Sequence, residues 1–256
     1  VRESVTDPED HIEESVDIVL NILDDYSVTA TFFVVGEVAE EYPDLVSKVA
    51  NAGHELGTHG YTHTPLSELN EDSFKSELTN SKAAIERAAD VEVRGFRAPN
   101  FSITRKTKWA LNVLLEEGFT YDSSVFPIKT PMYGVRGAPT KPYHVDLRQP
   151  FSDIGATKLL ELPVAVHPRV RIPVAGGFYA RLLPQQILSF GINALNKRGS
   201  PAVLYFHPWE FNPDVQTNEP PVHARIVSYH GIDRTESKLR YLIGKYAFSS
   251  ISEIIS

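Results

Sequence analysis

Two histidines four positions apart are the first residues whose spacing could do chemistry. His59 and His63 lie in the segment GTHGYTHTP, where Gly57, Gly60 and Pro65 favour a turn. At this spacing two neutral imidazoles can reach one metal ion. Because the chain has no cysteine, the donor set suits Zn²⁺ or another divalent metal, completed by a carboxylate and water. The alternative is a pair of solvent-exposed histidines in a loop.

Three further polar residues come at the ends of strand-like segments. Arg97 follows VRGF, Asp122 ends FTYD, and His207 follows AVLYF. In a parallel α/β barrel the C-terminal ends of the strands meet on one face, where active sites are built. A guanidinium there can orient a carboxylate, a carboxylate can orient an imidazole, and a histidine can act as a general acid or base.

Each of these three residues also has a purely structural interpretation. Arg97 could form a surface salt bridge, and Asp122 could begin a turn. His207 could be a core histidine bonded to a backbone carbonyl. The segment AGGFYAR (175–181) brings aromatic faces next to glycines, which suits either a sugar ring or a structural turn.

The elements that must position these residues alternate between helical and strand patterns. Apolar spacing predicts a first helix around Ile12–Leu23, and Asn70 predicts the start of a helix that carries Phe74. Asp233 with Glu236 resembles a capping box for a last helix. The other predicted elements are strands at 29–35, 54–59, 93–97, 119–122, 158–166 and 202–206, and helices at 43–52, from Thr104 to Gly118, and at 184–197.

This alternation predicts parallel βαβ units and a single α/β domain over residues 1–256. The Pro-rich stretch 123–157 interrupts this alternation and is expected to be irregular.

The formal net charge of -8 argues against nucleic-acid or anionic-membrane binding. No stretch approaches the roughly 20 apolar residues of a membrane span. Because the absence of cysteine excludes disulfides, the redox compartment cannot be inferred.

Taken together, these motifs resemble the polysaccharide deacetylase family, also known as carbohydrate esterase family 4 or the NodB homology domain. His59-Gly-Tyr-Thr-His63 is similar to the family's metal-binding H-[ST]-x-x-H motif, and Arg97-Ala-Pro-Asn100 to its R-x-P motif. Asp122-Ser-Ser-Val-Phe126 and Tyr205-Phe-His207 resemble its D-x-x-x-W and L-x-H motifs. From about residue 158 the chain looks like the branch associated with exopolysaccharide biosynthesis in prokaryotes.

The resemblance implies a distorted (β/α)-barrel, often of seven units, that removes acetyl groups from amino sugars by cleaving linear amide C–N bonds. It implies that His59 and His63 bind zinc or another divalent ion. It also implies that Arg97 orients the catalytic base and that His207 protonates the leaving amine while Asp122 tunes it. Phe126, Tyr179 and Trp209 are expected to contact the substrate, an acetylated amino-sugar polymer or oligomer.

Three departures from the family pattern qualify these expectations. Gly60 stands where Ser or Thr is usual, and Phe126 replaces a tryptophan. The family's Asp-rich first motif, which supplies the general base and the third metal ligand, is missing. We expect the first strand to lie upstream of Val1, so that this chain by itself has an incomplete metal site. The weaker alternative is that Asp7, Glu9 or Asp10 stands in.

Two other functions stay open at this stage. One is a cyclic imide or ureide amidohydrolase of the same superfamily, which needs a closed pocket rather than an open cleft. The other is a non-catalytic glycan-binding barrel that has lost its base and metal Asp. No signal peptide is recognisable after Val1. A cytoplasmic or membrane-peripheral location in a prokaryote is therefore the favoured prediction.

Overall fold

A six-stranded, mostly parallel sheet organises the chain in the computed structural model, which describes residues 8–130, 133–215 and 229–256. The strand order is β1-β2-β3-β4-β6-β5, and only β5 runs antiparallel to its neighbour. This arrangement confirms the predicted α/β class. The strands are β1 (Thr31–Val34), β2 (Glu55–Thr58), β3 (Gly95–Phe96), β4 (Tyr121–Asp122), β5 (Tyr143–His144) and β6 (Leu160–Glu161).

Helices connect the strands and cover the sheet. Asn70 accepts a hydrogen bond from the Ser73 backbone and Ser73 bonds back to Asn70, so the predicted start of the long central helix is confirmed. The helices are α1 (Pro8–Asp25), α2 (Gly36–Glu41), α3 (Pro43–Asn51), α4 (Glu71–Ala89), α5 (Ala110–Glu116), α6 (Gly177–Leu182), α7 (Gln185–Asn196), α8 (Thr235–Ile243) and α9 (Ile251–Ile255).

The interior is divided between two main apolar clusters. The larger cluster packs α3, α4 and α5 against the first strands through residues such as Phe74 and Phe96. The second lies under the C-terminal half and includes Phe126, Val166 and Leu188. Removing this apolar surface from water is the main stabilising contribution to the fold.

Three details of the predicted helices are wrong: a cap, a starting residue and the identity of the last helix. The Asp233–Glu236 capping box does not form, because the helix begins after Arg234 without a side-chain cap and Glu236 pairs with Arg240 instead. Regular helix begins at Ala110 rather than Thr104, because Thr104 and Thr107 form a turn. Helix α8 is followed by the further short helix α9, which the apolar pattern was too short to predict.

The predicted strand at 202–206 differs from expectation in a way that matters for the site. It makes single bridges from Val203 to Val164 and from Tyr205 to Gly176 rather than a regular ladder. Residues 202–206 and strand β1 are only half-buried. Within the described residues β1 pairs with β2 alone and forms the edge of the sheet. An additional strand upstream therefore remains a prediction.

Helix α9 closes the N-terminal side of the sheet. The backbone N–H groups of Ser250 and Ile251 donate to the hydroxyls of Thr29 and Thr31, at 3.1 and 2.8 Å. Ile251 packs against Tyr121. The strand ends on the opposite side, which carry the predicted site residues, are thus left as the accessible face.

Candidate active site

The loop after β2 holds His59 and His63 close together. Their ring centroids lie 5.0 Å apart. Glu77 on α4 fixes this loop, because its carboxylate accepts backbone hydrogen bonds from Tyr61 and Thr62 at 2.7 and 2.9 Å. His63 itself has a φ of 62°, in the left-handed region that a branched or bulky residue rarely adopts. The backbone of His63 is therefore strained in the conformation that places its imidazole beside His59.

The hydrogen bond of His59 defines which of its ring nitrogens is free. Its Nδ1 lies 2.6 Å from the carbonyl oxygen of Arg97, so Nδ1–H donates and Nε2 keeps the lone pair. Burial, with a smaller effect from the charges of His63, Arg97 and His207, lowers the pKa of His59 to about 3. A neutral imidazole with its second nitrogen bonded to a carbonyl is the usual state of a metal-ligating histidine.

The imidazole pair fits part of a divalent-metal site. No cluster of three His, Cys, Asp or Glu side chains capable of holding a metal occurs in the part of the chain that the structure describes. Asp7 and the side chains of Glu9 and Asp10, considered as substitutes for the first motif, lie outside that part. His59 and His63 therefore remain predicted ligands, as does the third.

Arg97 is immobilised at the end of β3. Its Nε donates to the carbonyl of Ser123 at 2.9 Å, and its Nη2 donates to the Ser123 hydroxyl at 2.7 Å. The guanidinium carbon lies 4.3 Å from the centroid of the Phe33 ring, a cation–π contact. Burial lowers the pKa of Arg97 to about 10, so the side chain stays cationic at neutral pH. A surface salt bridge does not describe this environment.

Asp122 is paired with a second carboxyl group, which the sequence analysis missed. Asp122 and Glu161 stand opposite each other on β4 and β6, and both are fully buried. Glu161 accepts the Val125 N–H at 2.9 Å, and Asp122 accepts the Ser124 hydroxyl. Burial raises the pKa of Asp122 to about 6, and burial together with the Asp122 charge raises the pKa of Glu161. The two carboxyls therefore favour sharing a proton.

His207 begins the turn Pro208–Phe211 and meets a different carboxylate from the one expected. Its Nδ1 lies 2.6 Å from Oε1 of Glu210, whose side chain is 1% exposed. The His207 side chain is 50% exposed, and its ring stacks on Trp209 at 5.8 Å between centroids. The family resemblance implied that Asp122 tunes His207, whereas the carboxylate in contact with His207 is that of Glu210.

The predicted substrate-contacting aromatics differ in accessibility. Phe126 is fully buried and packs within an aromatic cluster that includes Phe101 and Tyr179. It therefore offers no surface to a ligand and instead packs against the neighbouring aromatic rings. Tyr179 and Trp209 are half-buried, and Trp209 lies directly beside His207.

Gly176 sets the position of the chain that leads to His207. A Cβ at Gly176 would overlap the carbonyl oxygen of Tyr205, and its φ of 140° is strained for any other residue. Tyr205 bonds to Ala175 and Gly177 at 2.8 and 3.0 Å. The glycines of the 175–181 segment thus serve a close backbone approach.

Two family models match the chain, one over each half. The family model described as "Polysaccharide deacetylase" matches residues 7–120, and the model described as "Domain of unknown function (DUF3473)" matches residues 123–256. The chain belongs to the family described as DUF3473, and its residues 7–120 match the polysaccharide deacetylase family. The resemblance predicted from the motifs is thereby confirmed, while the exopolysaccharide branch remains a prediction.

Two deacetylases match part of the chain. A peptidoglycan-N-acetylglucosamine deacetylase of Bacillus cereus is 36% identical over 93 residues, which cover 36% of this chain and 34% of that protein. A chitooligosaccharide deacetylase of Sinorhizobium fredii is 35% identical over 82 residues, which cover 32% of this chain and 38% of that protein. The chain thus spans little more than a third of either relative.

Solved structures support the fold over nearly the whole chain. A Mycobacterium smegmatis protein described as a polysaccharide deacetylase aligns with a TM-score of 0.65 at 24% identity, over 94% of this chain and 75% of that one. An allantoinase aligns with a TM-score of 0.62 at 15% identity, over 94% of this chain and 70% of that one. A CE4 family pseudoenzyme of Bacillus anthracis aligns with a TM-score of 0.53 at 16% identity, over 95% of this chain and 61% of that one.

No described helix combines the length and the apolar character that crossing a membrane requires.

Proposed function

We propose that this chain carries the core of a metal-dependent N-deacetylase that hydrolyses the acetamido groups of a polysaccharide or its amino-sugar precursor. The grouping of His59 and Arg97 after the neighbouring strands β2 and β3, with His63 beside His59 and His207 close enough to affect the pKa of His59, carries the proposal. The deacetylase match over residues 7–120 and the resemblance of the C-terminal half to the exopolysaccharide-associated branch support a glycan of that kind.

His59 and His63 are the residues that would hold the ion. When bound, a divalent metal supplies Lewis-acid polarisation of the acetyl carbonyl and a more acidic water. The chain contributes to this by keeping His59 neutral and by fixing its Nδ1–H on the Arg97 carbonyl, so that Nε2 is left for coordination.

His207 is the proton donor for the leaving amine. Water adds to the acetyl carbon, the C–N bond breaks, and the amine nitrogen takes up a proton as acetate forms. Because Nδ1 of His207 is engaged by Glu210, Nε2 is the nitrogen that can carry this proton toward the cleft. The Trp209 ring stacked on the imidazole limits its rotation. The general base and the third metal ligand are expected from an upstream strand.

Zinc content and acetate release test this proposal together. The chain as given, its His59→Ala/His63→Ala variant and its exposed-histidine control His144→Ala are loaded with zinc and analysed by elemental mass spectrometry. They are then incubated with N-acetylglucosamine oligomers, and a form extended upstream is assayed in parallel. We expect zinc in the parent and in the control but not in the double variant, and acetate release at least from the extended form.

Each other outcome favours a different function. Oligomer binding without zinc or acetate release from either form would contradict the deacetylase and support a glycan-binding barrel. Hydrolysis of a cyclic ureide in place of acetate release would support the ring-opening amidohydrolase.

A further inference from the structure

The carboxylate beside His207 belongs to a buried ion pair. The Glu210 side chain is 1% exposed and that of Arg181 is 3% exposed, and Arg181 Nε lies 3.3 Å from Glu210 Oε2. The other Glu210 oxygen lies 2.6 Å from His207 Nδ1. Glu210 thus stands between a guanidinium and an imidazole, with one oxygen toward each.

Arg181 is itself held by the C-terminal half of the chain. It lies on α6, whose first turn bonds to the Tyr205 carbonyl through the Gly177 N–H at 3.0 Å. Lys238 on α8 donates to the carbonyls at the end of α6, including that of Arg181 at 2.7 Å. The Arg181 guanidinium also lies over the Trp209 ring, 5.4 Å from its centroid. Arg181, Glu210 and the strand leading to His207 are therefore locked in one arrangement.

Burial of this pair has an energetic cost that a structural role alone does not explain. Removing two charges from water costs several kcal/mol per ion, and an apolar pair of the same volume is often as stable. Glu210 aims its second oxygen at a half-exposed imidazole in the candidate site rather than at another buried donor. An acceptor on Nδ1 decides which nitrogen of a neutral histidine carries the proton.

We infer that Glu210 is a positioning residue that holds His207 in the Nδ1–H tautomer with Nε2 facing the cleft, and that Arg181 fixes Glu210 for this task. This inference rests on the proposed role of His207 as proton donor. It also gives the segment 123–256, matched as a domain of unknown function, a defined part in the site, because that segment supplies all three side chains.

Nitrogen NMR of ¹⁵N-histidine-labelled protein tests the inference without any substrate. In the neutral form of His207, we expect its resonances to show the proton mainly on Nδ1 in the parent. In Glu210→Leu we expect a shift to the Nε2–H tautomer, which free histidine prefers. In Glu210→Gln the single amide oxygen should face Arg181, which can only donate, so the amide NH2 should face Nδ1 and also favour the Nε2–H tautomer.

Folding of the variants is controlled by a double substitution. Glu210→Leu leaves Arg181 as an uncompensated buried charge, whereas Arg181→Met/Glu210→Leu removes both charges. The double variant should unfold at a temperature close to that of the parent and still show the Nε2–H tautomer. The inference is overturned if the tautomer of His207 is the same in the parent and in the folded double variant, whatever the activity.

Activity separates this role from the proposed function. In a deacetylase-active form, Glu210→Leu should lower kcat about 10²-fold with KM within about twofold, as for other carboxylates that orient a histidine. Glu210→Gln should lower kcat by a similar factor, because its NH2 group opposes the Nδ1–H tautomer. A tautomer change without acetate release from the parent or from the form extended upstream would refute the proposed function and leave the positioning of His207 standing. Equal kcat in all variants would refute the role of Glu210 in the reaction.

Discussion

Nδ1 of His59 lies 2.6 Å from the carbonyl oxygen of Arg97, so one imidazole joins the loop after β2 to the loop after β3. His59→Ala should therefore cost stability as well as metal. We expect its free energy of unfolding to fall by about 1–3 kcal/mol, as for other partly buried hydrogen-bonded groups. Urea unfolding with a chelator present measures this without a metal contribution. His144→Ala, an exposed histidine, should change by less than about 0.5 kcal/mol, and an equal loss in both would contradict the role of the bond.

The His63→Gly variant should be more stable to unfolding than the His63→Ala variant. The φ of 62° costs a residue with a Cβ about 1 kcal/mol and costs glycine almost nothing. Since both substitutions remove the imidazole, the difference between His63→Gly and His63→Ala reports only on the backbone. Thermal unfolding in a chelator should place the glycine variant higher by about 0.5–1 kcal/mol. The ordinary order, with alanine more stable, would show that the loop relaxes when the imidazole is lost.

The carboxyl pair Asp122–Glu161 should make stability fall as the pH rises. The pKa of Asp122 rises from 3.8 to about 6 in the folded chain, so between these values the folded state holds a proton that the unfolded state has released. Glu161→Gln removes one of the two charges and keeps an oxygen for the Val125 N–H. The free energy of unfolding of Glu161→Gln relative to that of the parent should therefore increase with pH.

The measurement is the free energy of unfolding of both proteins at about pH 4 and about pH 8. We expect Glu161→Gln to gain on the order of 1–3 kcal/mol relative to the parent between these values. His59, whose lowered pKa makes stability fall toward acid pH, is common to both proteins and cancels in the difference. A difference that does not change with pH would show that the two carboxyls do not interact.

Gly176 should tolerate no side chain, whereas Gly137 should tolerate a small one. Both have positive φ, but a Cβ at Gly137 meets no atom within 4 Å, while one at Gly176 overlaps the Tyr205 carbonyl. Gly137→Ala should cost about 1 kcal/mol from backbone strain alone. Gly176→Ala should cost several kcal/mol or prevent folding. Circular dichroism and thermal unfolding of the two variants measure the difference, and similar stabilities would contradict the close approach.

The helices, the parallel strands and the site residues that follow the strands could be predicted because they depend on local sequence patterns. Apolar periodicity and the Asn70 cap predicted α1 and α4, and the alternation of elements predicted parallel strands whose ends carry His59 and Arg97. Turn and cap signals were less dependable. The Asp233–Glu236 pattern competes with an i,i+4 ion pair from Glu236 to Arg240, and the ion pair forms.

The partners of the site residues depend on tertiary structure, which no local pattern records. Glu161 lies opposite Asp122 only because β4 and β6 are adjacent, and Arg181 reaches Glu210 only because α6 packs beside the turn after His207. A signal did exist for Glu161, a lone charge inside the apolar run LLELPVAV. Glu210, three residues after His207, could have been recognised as its partner from spacing.

The closure of the sheet by α9 has a consequence for the order of folding. Thr29 and Thr31 are synthesised early, yet their partners Ser250 and Ile251 follow 221 and 220 residues later. Forming contacts this distant along the chain costs loop-closure entropy before the contacts can stabilise the folded state, and this slows folding. The N-terminal side of the sheet therefore stays uncovered until α9 has been synthesised. Deleting residues 250–256 should lower the free energy of unfolding, because Thr29, Thr31 and Tyr121 would lose these contacts.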